Sequence, residues 1–575
     1  MNSKRMWIMP TLACVLVCML ALRMFDLQVV KTAVLKQTAE NNRFFHKVVV
    51  ADRGILFDRF GQSLVFNKPV FYQLQSPNRL YSNRTLVDES TALELMATAS
   101  SSVFTDQYRE YIYPDALSQV TGYVGPITKE DLDRDPNLAL NQVIGKVGLE
   151  AMFQDELKGQ DGAVVYETNA KGEIIRTVSE QNSVSGQHIQ TTIDGELTAY
   201  IFGLMKGQKG AVLVGDPGTG EVLSLISSPT FNANQFTRPP MNESDDENKK
   251  TQLASYFQDP NKLFFNRALA GGYPPGSVFK PVTALGALEN GAVDADTKVD
   301  DQGTLKVGEF EYGNWFYRQY GRIEGSINLV RALARSNDIY FYKAAEWLGA
   351  NQLAAIARMV GFGKRTGIEL PAEASGIVPD PAWKEKAVGE KWYLGDTYHF
   401  GIGQGDLLVT PVQVFQSLTL FANGGKLCAP TLIKGTSGHC QDISVSQDHL
   451  KTIEEGLKEV CTRGGTAFPF FPWNDQEENK VFCKTGTAEF GAADNNGHRR
   501  THGWFVGFTH LNTQPRTIRL VKNGRLEKTE VKEQYPQNIL VVVLVESDEV
   551  KPFREGSADG GPIALKILEW IKDHR

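Results

Sequence analysis

The sequence predicts an α+β protein: an antiparallel sheet flanked by helices, preceded by an elongated α/β-mixed pedestal and one N-terminal transmembrane helix. Three observations predict it. An uncharged run, MWIMPTLACVLVCMLAL, occupies Met6–Leu22. Two apolar, β-rich runs surround an Asp-Pro-Gly-Thr-Gly turn in GAVLVGDPGTGEVLSLISSP, and three more lie near 480–488, 503–508 and 538–546. Between these groups the chain reads as helical over 326–360, 409–422 and 447–462, and PIALKILEWIKDHR supplies a closing helix.

The apolar run comes first. Its seventeen residues at about 1.5 Å each give roughly 25 Å, slightly short of a hydrocarbon core of about 30 Å. Met24, Phe25 and Leu27 lengthen it while Arg23 snorkels. Lys4 and Arg5 precede it, which places residues 1–5 in the cytoplasm as a short tail and everything after the 6–25 anchor outside. The rival, a cleaved signal peptide, lacks a small-x-small site after the run.

Next comes a mixed region, 40–190. VVVADRGILFDRFGQSLVFN alternates short β-rich runs with turns, STALELMATASSSVF reads as helical, and GKVGLEAMFQDELKGQDG reads as one amphipathic helix with Leu149, Met152, Phe153 and Leu157 on one face. No catalytic cluster stands out there, so it reads as a support or interaction module. Residues 191–575 form a second domain, which agrees with a 575-residue chain too long for one core. Its segment 512–537, charged and poor in apolar residues, reads as a surface excursion between two strands.

Composition narrows the functional classes. The chain is 42% apolar and 22% charged with a net charge of −7, and no long Lys/Arg cluster is present, so nucleic acid is not an expected partner. Of six cysteines, Cys14 and Cys18 lie in the anchor and Cys428, Cys440, Cys461 and Cys483 in the body; none forms a CxxC pair. An exported body permits disulfides, and Cys428 and Cys440 are the nearest pair. Two unpaired thiols there are an equal alternative.

Chemistry enters with GGYPPGSVFKPVTAL. Ser277 is the only serine with a lysine three positions on, Lys280. After a Pro274-Pro275-Gly276 corner both fall on one face of a helix start. A hydroxyl becomes a nucleophile only when a base removes its proton, and lysine serves only with a lowered pKa. A helix start also offers backbone N–H groups to an oxyanion. Helix capping alone would explain the serine equally well.

Two further segments alter that balance. RALARSNDIYFYKAAEWLG sets Ser336, Asn337 and Asp338 inside a helical block, where three short polar residues are locally unfavourable; a helix-to-helix turn is the plain alternative. VFCKTGTAEF sets Lys484, Thr485, Gly486 and Thr487 at the end of an apolar strand. There Gly486 would admit a ligand backbone, and two hydroxyls beside a cation suit a carboxylate.

In this order and spacing the three clusters resemble the motifs of the penicillin-recognising serine acyl-transferases. RGILFDRFGQSLVFN, GKVGLEAMFQDELKGQDG, GDPGTGEVLSLISSPTFNANQF, YHFGIGQGDLLVTPVQ and THGWFVGF resemble stretches of class B penicillin-binding proteins, so the likeness runs from anchor to C-terminus. Ser-Asn-Asp with WYLGDTYHFGIGQG is most similar to the elongation type.

The resemblance implies the penicillin-binding, transpeptidase fold and a peptidoglycan D,D-transpeptidase inhibited by β-lactam antibiotics. It assigns Ser277 as nucleophile, Lys280 as general base, Ser336 as proton relay, and Asp338 in the place of a ligand-contacting asparagine. Lys484 supplies positive potential. Thr485, Gly486, Thr487 and Asn337 fall to substrate binding, with the N–H groups of Ser277 and Thr487 as oxyanion hole. It further implies peptidoglycan stem peptides as substrate, the membrane as its site, and a SEDS-family glycosyltransferase as partner. No cofactor is implied. No zinc is expected either, since 281–335 has no His or Cys.

Cys483 departs from the family pattern, where glycine often precedes the lysine, and residues 24–190 do not resemble the class A glycosyltransferase module. The alternatives are a division-type transpeptidase, a hydrolytic β-lactamase, and a non-catalytic β-lactam sensor or scaffold for a partner synthase.

Overall fold

Five antiparallel strands build the sheet that carries the site: β1 (Gly210–Gly215), β2 (Val222–Ser228), β3 (Val481–Phe490), β4 (Arg500–His510) and β5 (Asn538–Val545). Their spatial order is β2-β1-β5-β4-β3, which leaves β3 on an edge. The computed structural model describes residues 8–575 apart from 76–83, 99–102, 137, 139–142, 170, 172, 241, 437–439, 495–496 and 523–524. The cytoplasmic tail expected at 1–5 lies outside the described residues.

The helices around this sheet are α1 (Gly195–Leu204), α2 (Lys280–Glu289), α3 (Leu329–Arg335), α4 (Asp338–Leu348), α5 (Pro411–Ala422), α6 (Gln447–Val460) and α7 (Gly561–His574). β5 reads NILVVVLV because helices cover both of its faces. Val541, Val543 and Val545 pack with Leu197 and Ile201 of α1 and Ile563, Ile567 and Ile571 of α7. Leu540, Val542 and Leu544 face the other way, into the core shared with α2, α4 and α5. Each fully buried side chain of this size is worth about 1.5–3 kcal/mol. A one-residue slip of β5 would send every one of them to the wrong core, so packing fixes the register.

Local signals set the helix ends. The Asp194 carboxylate accepts from Leu197 N at 3.0 Å to cap α1. Thr410 and Gln413 form a reciprocal capping box at α5, with Pro411 in its first turn.

The chain divides into two compact units. The larger comprises Gly54–Phe66, Arg109–Leu157 and Gln187–Arg575. The smaller begins with an apolar helix, Ile8–Phe25, continued by a π-helical stretch, Asp26–Val30. Met9–Val30 is 22 residues long with none of its most apolar window buried, enough to cross a membrane as a single-pass anchor. It runs five residues past the expected end at 25, with Arg23 paired to Asp26 at 2.7 Å. A three-stranded sheet of Phe44–Val49, Gly162–Thr168 and Ile174–Gln181 follows in the same unit.

Two expectations are corrected, at 145–162 and at Lys484–Thr487. The surface excursion expected at 512–537 does lie between β4 and β5, and it is built as a two-stranded antiparallel hairpin of Pro515–Lys522 and Arg525–Gln534. Its outward residues are charged, which disguised it, but Ile518 is buried and Arg519 N donates to Phe60 O at 3.0 Å. The helix expected over 145–162 is a strand, Val143–Val147, and two short helices, Gly148–Met152 and Gln154–Lys158. Leu149 and Leu157 are buried as expected, whereas Met152 is half exposed. Lys484–Thr487 lies in the middle of β3, not at its end. Cys428 is bonded to Cys440, and Cys461 at the end of α6 is bonded to Cys483 of β3.

Candidate active site

The Pro-Pro-Gly corner is held from three sides. Tyr273 exchanges backbone hydrogen bonds of 2.9 Å with Val409, Gly276 N donates to Gly403 O at 2.8 Å, and Trp504 Nε1 donates to Pro274 O at 3.1 Å. Gly276 takes φ +55°, a conformation that costs an L side chain about 1–2 kcal/mol, and delivers Ser277 into a single 3₁₀ turn, Gly276–Phe279. α2 begins at Lys280, with Pro281 in its first turn. Ser277 and Lys280 therefore straddle the 3₁₀-to-α transition.

β3 lies directly against this turn. A Cβ on Gly486 would meet Val278 Cγ1 at 3.0 Å, Pro275 O at 3.1 Å and Trp504 Cβ at 3.2 Å. The missing side chain thus makes room for the nucleophile turn. The other edge of β3 pairs with β4, so alternate residues present their backbone groups outward. The Gln404 amide faces the N–H and C=O of Glu489 at 3.0 and 3.1 Å on that outward edge. Thr487, two residues earlier, has the same parity and lines the cleft.

The second motif is a sharp corner between helices. α3 ends at Arg335, Ser336 adopts a left-handed φ of +52°, and Asn337 caps α4 by accepting from Tyr340 N at 2.9 Å. The helix-to-helix turn is therefore real, and it turns the Ser336 hydroxyl towards two lysines. Lys280 Nζ donates to Ser336 O at 2.7 Å, to Ser336 Oγ at 3.2 Å and to Asp338 Oδ1 at 2.7 Å. Lys484 Nζ donates to the same Ser336 Oγ at 2.9 Å and to Thr485 O at 3.0 Å. Thr466 Oγ1, which the sequence did not single out, lies 2.7 Å from Thr485 Oγ1.

Both lysines are fully buried, and burial lowers both pKa values. For Lys280 the Asp338 carboxylate opposes that shift. Lys484 lies well below the ordinary range, because burial is reinforced by the charge of Lys280 and only partly offset by Asp338.

Ser277, Ser336, Asp338, Thr466, Thr485 and Thr487 line one cleft of about 1470 Å³. Its outer walls carry Glu309, Glu311, Arg318, Glu489 and Arg499. Of the expected site residues, Lys280, Lys484, Gly486 and Asn337 do not line the cleft. Asn337 is fully buried and donates Nδ2 to Asp301 Oδ2 at 2.7 Å. Asp301, Asn314 and Trp315 around it left no signal in the sequence, because nothing local marks a buried hydrogen-bond hub.

The family model described as the penicillin-binding protein transpeptidase domain matches residues 210–540, and that of the penicillin-binding protein dimerisation domain matches 88–191. Peptidoglycan D,D-transpeptidase MrdA of Escherichia coli strain K12 is 30% identical over 571 residues, covering 87% of this chain and 88% of the relative. The MrdA protein of Acinetobacter baumannii is 28% identical, with 89% and 84% covered. Among solved structures, PBP2 of Helicobacter pylori in complex with MreC has a TM-score of 0.72 at 27% identity, covering 92% of this chain and 99% of that one. PBP2 of Pseudomonas aeruginosa in complex with WCK 5153 has a TM-score of 0.68 at 27% identity, with 91% and 96% covered. A motif trio gathered on one cleft, a matched domain over more than half the length and near-complete relatives agree: the chain belongs to the penicillin-binding protein transpeptidase family.

Proposed function

We propose that this protein cross-links peptidoglycan stem peptides during cell elongation, with Ser277 as its acyl carrier. It is a serine-type D-Ala-D-Ala transpeptidase and a β-lactam target. The observation that carries the residue roles is the convergence of Lys280 and Lys484 on one hydroxyl, Ser336 Oγ, behind the cleft wall that bears Ser277.

The Ser277 hydroxyl gives its proton towards Lys280 as its oxygen bonds to the carbonyl carbon of the penultimate D-Ala. The oxyanion is met by the N–H groups of Ser277 and Thr487, worth on the order of 10²–10³ in rate per donor. The C–N bond then breaks, and the terminal D-Ala leaves as an amine carrying the transferred proton. An amine of a neighbouring stem attacks the ester, forms the new amide and returns a proton to Ser277. A β-lactam opens by the same first half-reaction.

On this reading the resting hydrogen bonds must change. All three donors of a charged Lys280 are taken by Ser336 and Asp338. A substrate carboxylate at Thr485 and Thr487 favours the charged form of Lys484, and that charge in turn favours neutral Lys280. Ser336 Oγ, bonded to both, is the path for the proton. Binding would thereby arm the base. Labelled fluorescent penicillin should acylate Ser277, found by mass spectrometry. Unchanged labelling of Ser277→Ala would defeat the assignment, and a penicillin ester acylated as fast as the free acid would defeat the arming step.

The cytoplasmic tail at 1–5, the anchor at 6–25, a pedestal at 40–190 and a transpeptidase domain at 191–575 complete the proposal, in an inner-membrane protein with its body outside the cytoplasm. The matched domains and the apolar Met9–Val30 span support that division. A structure of a peptidoglycan synthase complex coordinating polymerization and crosslinking, 25% identical with a TM-score of 0.73 over 100% of this chain, supports a polymerising partner, which we take to be a SEDS-family glycosyltransferase. Co-purification from detergent extracts tests it, and its absence under conditions that keep the polymerase intact would count against it.

A further inference from the structure

We infer that Asp301 is a positioning residue for acyl transfer, holding Asn337 and Asn314 so that Asp338 meets Lys280. The inference rests on the proton-handling roles proposed for Lys280, Ser336 and Asp338.

Asp301 ends a short strand, Val299–Asp301, and is fully buried. Its Oδ1 accepts from Gly303 N at 2.7 Å. Its Oδ2 accepts from Asn314 Nδ2 and Asn337 Nδ2, each at 2.7 Å, and from Glu324 N at 3.4 Å. Every neighbour on these oxygens is a donor, and among the described residues no lysine or arginine forms an ion pair with it. A buried carboxylate with only neutral partners is costly, and a plain structural corner would not need one. An amide here would turn N–H towards N–H.

What those donors have in common is Asp338. Asn337 is its chain neighbour and caps the helix that Asp338 begins. Asn314 Oδ1 accepts the Asp338 N–H at 3.3 Å, and Trp315 N, next along the chain, donates to Asp338 Oδ2 at 2.9 Å. That leaves Asp338 Oδ1 for Lys280 at 2.7 Å. Asp301 does not line the cleft. It acts from behind, fixing both partners that aim the Asp338 carboxylate. Displacing a reacting group by about 1 Å costs on the order of 10²-fold in rate, so a loosened hub has a readable effect.

The test uses full-length protein in detergent, with fluorescent penicillin at several concentrations. Asp301→Asn should lower the saturating acylation rate roughly tenfold or more, with the half-saturating concentration changed less than about threefold. Asn337→Ser keeps a good helix cap but drops the donor to Asp301, and should act in the same way. Combined, the two should lose no more than the worse single, because they cut the same link. The inference is overturned if either folded variant is acylated at the wild-type saturating rate, if only half-saturation moves, or if the losses multiply. Should Asp301→Asn not fold, Asn337→Ser decides on the same threshold; if neither folds, the role is structural and the inference fails. Absence of any Ser277 adduct on the wild-type protein would instead sink the function itself.

Discussion

Replacing Asp338 by asparagine is the sharpest test of how the buried lysines are tuned. Asp338 Oδ1 is 2.7 Å from Lys280 Nζ, and it is the group that opposes the downward shift that burial imposes on this lysine. An opposite charge at such range is worth roughly 1–3 pKa units, or about 1.4–4 kcal/mol between protonation states. Asparagine keeps an oxygen for Lys280 or Trp315 but loses the charge. The neutral amine is then favoured, and its pKa falls.

If neutral Lys280 is the base, acylation depends on its deprotonated fraction, and the acid limb of the pH–rate profile reports its pKa. In Asp338→Asn that limb should move to lower pH by roughly 1–3 units, while the plateau drops because a weaker, looser base takes the proton. Stopped-flow fluorescence with labelled penicillin from pH 5 to 10 gives the profile, and thermal melts at each pH separate it from unfolding. A limb that stays in place or moves up would refute the reasoning, since removing a carboxylate cannot favour the ammonium.

Gly486→Ala places a methyl 3.0 Å from Val278 Cγ1 and 3.1 Å from Pro275 O, so the nucleophile turn must move. A loss of about 1–3 kcal/mol in stability and at least tenfold in acylation is expected, checked by urea unfolding and labelling. The Cys461–Cys483 bond ties α6 to the residue before Lys484 and closes 22 residues. Cys461→Ala with Cys483→Ala should cost roughly 3 kcal/mol in the chain-entropy account, read as a lower melting temperature under non-reducing conditions. His502 is buried against Phe490 and its pKa is pushed down from 6.5 to about 4 by burial. The unfolded chain therefore binds the proton first, and stability should fall by roughly 3 kcal/mol as pH drops from 6.5 to about 4. Unfolding of His502→Gln should be flatter over that window.

What could be read from the sequence was what the chemistry itself requires. A nucleophile, a base one turn later, a short polar corner and a cationic strand must be those residue types, and the cleft gathers Ser277, Ser336, Asp338, Thr485 and Thr487, with Lys280 and Lys484 behind its wall. The continuous apolar run of β5 marked a sheet strand for a similar reason, since two cores demand two apolar faces. Meanings that depend on what packs from far away were not legible. Nothing local to Gly486 said that Pro275 and Val278 pack where its side chain would be. Nor did anything beside Asn337 point to Asp301, 36 residues earlier, as its partner. The 515–534 hairpin was hidden by its charged outer face, although the Asn-Gly pair at 523–524 is a turn signal.

The same contrast explains why the site tolerates a carboxylate where an amide is usual in the family pattern. Two fully buried lysines meet at Ser336 Oγ, and an amide at 338 would leave a charged Lys280 without a carboxylate partner. Asp338 pairs with Lys280, leaving Lys484 to be met, in the proposed mechanism, by the carboxylate that substrate brings. A carboxylate so close to the base must not drift into the cleft, where it would repel that substrate. Backbone and side chains behind the wall hold it: Trp315 N on one oxygen, Asn314 on its own N–H, and the capped start of α4 beneath it. The charge on Asp338 and the buried hub at Asp301 are therefore one device, and a chain that kept the first without the second would lose control of its base.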